Sequence, residues 1–166
     1  VEFMVRRMIA DLKVVEQGNR DYHPTPFSSL LIDGCLETGR DVTAGGALFN
    51  SSGVQGVGIA DVADSLSALQ EVVCARKKYP LTTVIEALKN NFTGAGVLRA
   101  ELLKAPKFGN DQPLPDDYAN LAAHIYHAAV TAHRNTRGGG YVPGFYSVTC
   151  HVAFGKRTPA LPSGRL

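Results

Sequence analysis

Apolar residues at Val1, Val5, Met8, Leu12 and Val15 follow the three- and four-residue spacing of one helix face. They predict a helix to about Gln17, stopped by Gly18 and Asn19, because glycine favours the left-handed end of a helix. Thr25 and Pro26 then give an N-cap and a proline at the first helical position, where its missing N–H costs nothing. That second helix would carry Phe27, Leu30, Leu31 and Cys35 and end at Gly39. A glycine-rich loop over residues 43–58 follows, with one short strand around 54–57.

The strongest pattern comes next. Ile59, Val62, Leu66, Leu69 and Val73 alternate three- and four-residue steps, and Ala60, Ala63 and Ala68 permit close packing. Its basic end, Arg76-Lys77-Lys78, suits the negative pole of the helix dipole. Thr83 to Glu86 has capping-box spacing and predicts a short helix through Leu88. Further helices are predicted over 97–104 and along Tyr118, Leu121, Ala122, Ile125, Ala129 and Ala132, before Gly138-Gly139-Gly140 breaks the pattern. Residues 141–148 read as a buried strand. One or two short strands do not make a stable sheet alone, so their partners are expected from outside this sequence.

Composition narrows the class. The 166 residues are 45% hydrophobic and 19% charged with a net charge of +2, which excludes a disordered chain, a collagen repeat and a polybasic nucleic-acid arm. No apolar run reaches the length of a membrane helix and no secretory leader opens the sequence. Cys35, Cys74 and Cys150 form neither a disulfide framework nor a metal-ligand pair, and a cytoplasmic location is expected. Val1 in place of Met, helical spacing from the first residue and the turn-rich close over 160–166 are expected of an excerpt from a longer chain.

The isolated residues name no chemistry. Gly53 to Gly58 runs G-x-x-G-x-G, the wrong order for a dinucleotide loop, and left-handed turns or close backbone packing are the expected use. His124 and His127 share a helix face at i, i+3, but no carboxylate or cysteine completes a zinc set, so packing or surface histidines are expected. Cys35 and Glu37 stand two apart and point different ways on a helix. The Arg76 to Lys78 run is the solvated end of a helix, without the aromatic interleaving of a nucleic-acid surface.

Four ordered blocks carry a resemblance. They are Pro26 to Asn50, Gly53-Val54-Gln55-Gly56-Val57-Gly58 through Asp64-Ser65-Leu66, Lys107-Phe108-Gly109-Asn110-Asp111, and Val152 to Thr158 with Leu161-Pro162-Ser163-Gly164-Arg165. Together they resemble the glycyl radical enzymes of the pyruvate formate-lyase family, in the branch of glycerol and diol dehydratases. The resemblance implies an α/β fold, a helix-rich slice of a ten-stranded barrel. Residues 1–166 would form a partial domain between the cysteine that becomes a thiyl and the glycine that stores the radical. Gly34-Cys35-Leu36-Glu37 imitates the cysteine motif but stands too close to Gly45-Gly46 to occupy that loop, and no Arg-Val-x-Gly-Tyr motif occurs. The resemblance therefore assigns no catalytic residue and no bound cofactor or metal to this segment. The longer enzyme would carry a protein glycyl radical, installed by a radical S-adenosylmethionine activase. It would act by radical elimination or carbon–carbon cleavage on a small oxygenated substrate.

The implied partners are the rest of the barrel, the activating enzyme, a small-molecule substrate and a second copy in a homodimer, with no nucleic acid or membrane. Tyr146, Ser147 and Thr149, toward the end of the 141–148 strand, are the implied substrate contacts, with barrel packing as their alternative role. The rival to the whole reading is a free-standing, non-catalytic helical module that binds a protein, or a gene remnant. A slice should expose apolar faces around Val142/Phe145 and Ile59/Leu66.

Overall fold

The first apolar stripe folds as a helix but runs beyond its expected stop: in the computed structural model, which describes residues 1–166, α1 spans Glu2–Tyr22. Gly18 has open space around it and costs the helix only about 1 kcal/mol. The end is reached where the His23 N–H donates to the Asn19 carbonyl.

The helix expected from Pro26 to Gly39 is two short ones, α2 (Pro26–Ser29) and α3 (Cys35–Thr38). Between them Gly34 takes φ +94°, and a Cβ there would lie 2.7 Å from the Leu48 backbone nitrogen. Thr25 does not cap α2 with its hydroxyl. Instead the Asp41 carboxylate accepts from the Thr25 N–H at 2.9 Å, the Ser29 hydroxyl at 2.8 Å and the Thr43 N–H at 2.8 Å.

The Thr43 hydroxyl first, with the other donors outweighing burial, lowers the Asp41 pKa to about 2. A carboxylate depressed in the folded state stabilises above its unfolded pKa of about 4 and loses that contribution as pH falls toward 2. The Asp41 carboxyl resonance should therefore titrate with a midpoint near pH 2 by carbon NMR. The acid loss of stability between about pH 4 and 2 should shrink in Asp41→Asn. A midpoint near 4 would sink this assignment.

The chain divides into two compact units, Val1–Gly56 with His124–Gly144, and Val57–Ala123 with Phe145–Leu166. In the first, β1 (Ser52–Gln55) and β2 (Tyr141–Gly144) pair in parallel, with Ser52 opposite Tyr141 and Gln55 opposite Gly144. The strands thus partner each other, contrary to the expectation that both partners lie outside the sequence. Val5 and Ile9 of α1, Val54 and Tyr141 form the core with Val130, which lies on α7 (Pro113–Thr131).

The second unit holds α4 (Ile59–Leu69), a π-helical turn over Gln70–Ala75, α5 (Leu81–Lys89), α6 (Gly96–Leu103) and α8 (His151–Arg157). α5 begins at Leu81 behind Pro80, not at a capping box on Thr83, because proline's fixed φ already sets the entry. The core gathers Ala68, Val72, Val84, Phe92, Leu98 and Leu102. No helix is long and apolar enough to cross a membrane.

Candidate functional site

β2 ends at Gly144 instead of Val148. Its partner leaves the sheet after Gln55, and the last ladder bond is the Gly56 N–H donating to the Gly144 carbonyl at 2.8 Å. Tyr146, Ser147 and Thr149 are therefore not on a strand, and the alternation that selected them does not apply. They lie on the exposed loop 145–150 between β2 and α8, with Tyr146 68% exposed.

A polar network went unread in the sequence. Glu16 follows Val5, Ile9 and Leu12 on the buried face of α1, and a carboxylate on an apolar stripe was the available signal. Its Oε1 accepts from the Ser52 hydroxyl. Its Oε2 accepts from the Thr136 N–H at 3.0 Å, the Thr136 hydroxyl at 2.9 Å and the Tyr141 hydroxyl at 3.4 Å. Burial pushes the Glu16 carboxyl up, but the donors from Ser52 and Thr136 and the nearby Arg137 charge together hold it below its ordinary value. Burial, with the Glu16 charge, raises the Tyr141 phenol.

Ser52 is the hub, because its Oγ also accepts from Asn135 Nδ2 and Arg137 Nη2, both at 2.9 Å. Asn135 Oδ1 accepts from the Arg137 and Gly139 N–H groups at 3.1 and 2.8 Å. Glu16, Asn19, Thr43 and Arg137 line a cavity of about 130 Å³ beside these bonds. Glu16 accepts from donors on Ser52, Thr136 and Tyr141, so the network ties α1 to the start of the β1–β2 register.

Other sequence candidates separate. Cys35 is 4% exposed, and Glu37 turns away from it to accept the Gly34 N–H at 3.0 Å, a helix-start contact. His124 and His127 are exposed on α7, and no group of three His, Cys, Asp or Glu side chains is arranged to hold a metal. Two of the three basic residues pair with carboxylates: Arg76 with Glu71 and Glu101, and Lys78 with Glu101 at 3.1 Å. In the glycine-rich stretch, Gly58 takes a left-handed φ of +89° ahead of α4. The tightest backbone approach belongs to Gly46, whose added Cβ would fall 1.9 Å from the Arg40 carbonyl oxygen.

The family model described as pyruvate formate lyase-like matches residues 1–155. The chain is 35% identical over its full length to trans-4-hydroxy-L-proline dehydratase of Clostridioides difficile, of which it spans 21%. It superposes with a TM-score of 0.94, at 36% identity, on the glycerol-bound B12-independent glycerol dehydratase of Clostridium butyricum, covering 99% of this chain and 21% of that one. A glycyl radical enzyme from Archaeoglobus fulgidus matches at a TM-score of 0.94 and 41% identity over the same shares. The chain thus spans about a fifth of the length of the proteins it matches, and its helix-rich α/β slice is the fold the resemblance implied.

Proposed function

Because the chain belongs to the pyruvate formate lyase-like family, we propose that it works as one segment of a glycyl radical dehydratase that eliminates water from a small hydroxylated substrate. The observation that carries this is the match, in sequence and in structure, along almost the whole chain to dehydratases of this kind. The glycyl radical, with the thiyl it generates, supplies hydrogen-atom abstraction from residues outside this segment, after installation by a separate activating enzyme. Residues 1–166 contribute scaffold as one partial domain. The loop 145–150 contributes pocket wall, where the Tyr146 phenol and the Ser147 and Thr149 hydroxyls can donate to or accept from substrate hydroxyls.

Surface chemistry supports the slice over the free-standing module. Phe27, Leu31 and Phe49 are 77%, 78% and 85% exposed in one unit, and Val97 and Val152 are 73% and 67% exposed in the other. Of the expected apolar positions, Val142, Phe145 and Leu66 are also open, while Ile59 is half-buried. Soluble monomers rarely leave so many large apolar side chains bare. A two-stranded parallel sheet is likewise unusual unless more strands and covering helices complete it.

The test is the intact polypeptide that carries this sequence, produced without oxygen alongside its activating enzyme. A glycyl radical signal by electron paramagnetic resonance, with dehydration of glycerol or trans-4-hydroxy-L-proline, is the expected result. A mature chain with a mass near 17.7 kDa and no radical would overturn the reading in favour of a binding module.

A further inference from the structure

Loop 145–150 is exposed, and α8, which follows it, buries no residue. Burial of apolar side chains therefore does not hold α8, and a polar tie contributes. Arg165 supplies it. Its Nη2 donates to the Gly155 carbonyl in the middle of α8 at 2.9 Å. Its Nη1 lies 3.7 Å from Asp61 Oδ1 in the first turn of α4. The two ends of one planar guanidinium thus bridge two helices, a geometry lysine cannot reproduce.

Gly155 is shaped to this contact. A Cβ there would stand 2.7 Å from Arg165 Nη2, and the residue has no left-handed φ that would otherwise call for glycine. Glycine inside a helix costs about 1 kcal/mol relative to alanine, and here it leaves room for the guanidinium, which an alanine Cβ would displace. The base of the arginine is itself held. The Arg99 Nε–H donates to the Gly164 carbonyl at 2.9 Å, the Leu161 N–H donates to the Arg165 carbonyl at 3.1 Å, and Ser163 is 6% exposed.

We infer that Arg165 is a positioning residue: it clamps α8 against the start of α4 and so holds the pocket-wall loop with Tyr146, Ser147 and Thr149 in its binding pose. The inference rests on the proposed function for its substrate, but the clamp has its own readout. In the intact polypeptide, Arg165→Ala should speed amide exchange through α8, and Gly155→Ala should do so less, because alanine's helix propensity offsets part of the lost contact. Each should raise the dissociation constant of the unactivated enzyme for its bound probe, glycerol or trans-4-hydroxy-L-proline, by about tenfold, with kcat nearly unchanged. The double variant should be no worse than Arg165→Ala alone, because both remove the same contact. Arg165→Lys should recover only part of the loss.

Unchanged exchange in α8, unchanged affinity in a wild-type enzyme that binds the probe, or multiplying effects in the double variant would each overturn the clamp. A wild type that carries no radical and binds neither probe defeats the proposed function instead. Exchange in α8 then still decides the contact.

Discussion

Leu102→Ala should lower the stability of the unit that contains it by about 2–5 kcal/mol, the range for removing a fully buried leucine side chain. Leu102 is wholly buried on α6, and its cluster includes Ala68, Ala87, Ala105 and Ala160 as well as Val72 and Val84. The alanines have no side-chain length to swing into the space, and the valines are stiff at χ1. Phe92 and Leu98 of the same cluster can relax partway into the space, which keeps the expected loss within that range. Urea unfolding followed by far-UV circular dichroism reads the change as a lower midpoint at constant slope. Val97→Ala on the same helix is the control: with Val97 73% exposed, it should shift stability by no more than about 0.5 kcal/mol in the 166-residue chain. In the intact polypeptide the same change should cost more, because the proposed barrel covers that face. Equal small effects in both settings would favour the free-standing module, and a Leu102→Ala loss below about 1 kcal/mol would contradict the core packing.

What local pattern could reveal, it did. The stripe from Ile59 gave α4 and its continuation, Val97 opened α6 within a residue, and the spacing from Tyr118 gave α7. These helices are set by which of their own residues face the core. Other boundaries are decided by partners far along the chain. The Asp41 carboxylate, 12 and 16 residues away, ties down Ser29 and Thr25. β2 stops at Gly144 because β1 has already turned away. No periodicity marks α8, since His151 to Arg157 shows no apolar stripe and buries nothing. The polar network joins Glu16 to Thr136 and Tyr141 across 120 and 125 residues, a distance at which no spacing rule operates. The family motifs reached further than periodicity: they implied the fold and the loop after β2, though not that the loop leaves the strand before Tyr146.

Gly139→Ala should be the most damaging small substitution at the strand pair. An added Cβ would sit 2.1 Å from the Asn50 carbonyl oxygen, 2.4 Å from its carbon and 3.0 Å from the Ser51 nitrogen. All three are backbone atoms, so no rotamer change relieves the overlap and the two segments must part. Parting them strains the Asn135 bridge, which accepts the Gly139 N–H at one end and donates to the Asn50 carbonyl and Ser52 hydroxyl at the other. Overpacking of this kind costs about 1–3 kcal/mol, and each weakened hydrogen bond adds about 1 kcal/mol. Gly140→Ala is the matched control, because nothing lies within 4 Å of its Cβ and its φ is not left-handed; it should be nearly silent. Tyr141, two residues beyond Gly139, opens β2 opposite Ser52, so the displacement enters the register and runs to Gly144, where the loop 145–150 departs. Under the proposed function, Gly139→Ala in the intact polypeptide should therefore lower kcat/KM as well as the unfolding midpoint, while the content of the proposed glycyl radical holds. If Gly139→Ala and Gly140→Ala unfold together and turn over alike, the close approach of residues 139 and 50 does not govern the strand pair. If stability falls and kcat/KM does not, the loop takes its pose from α8 and Arg165, and the register of β2 is irrelevant to binding.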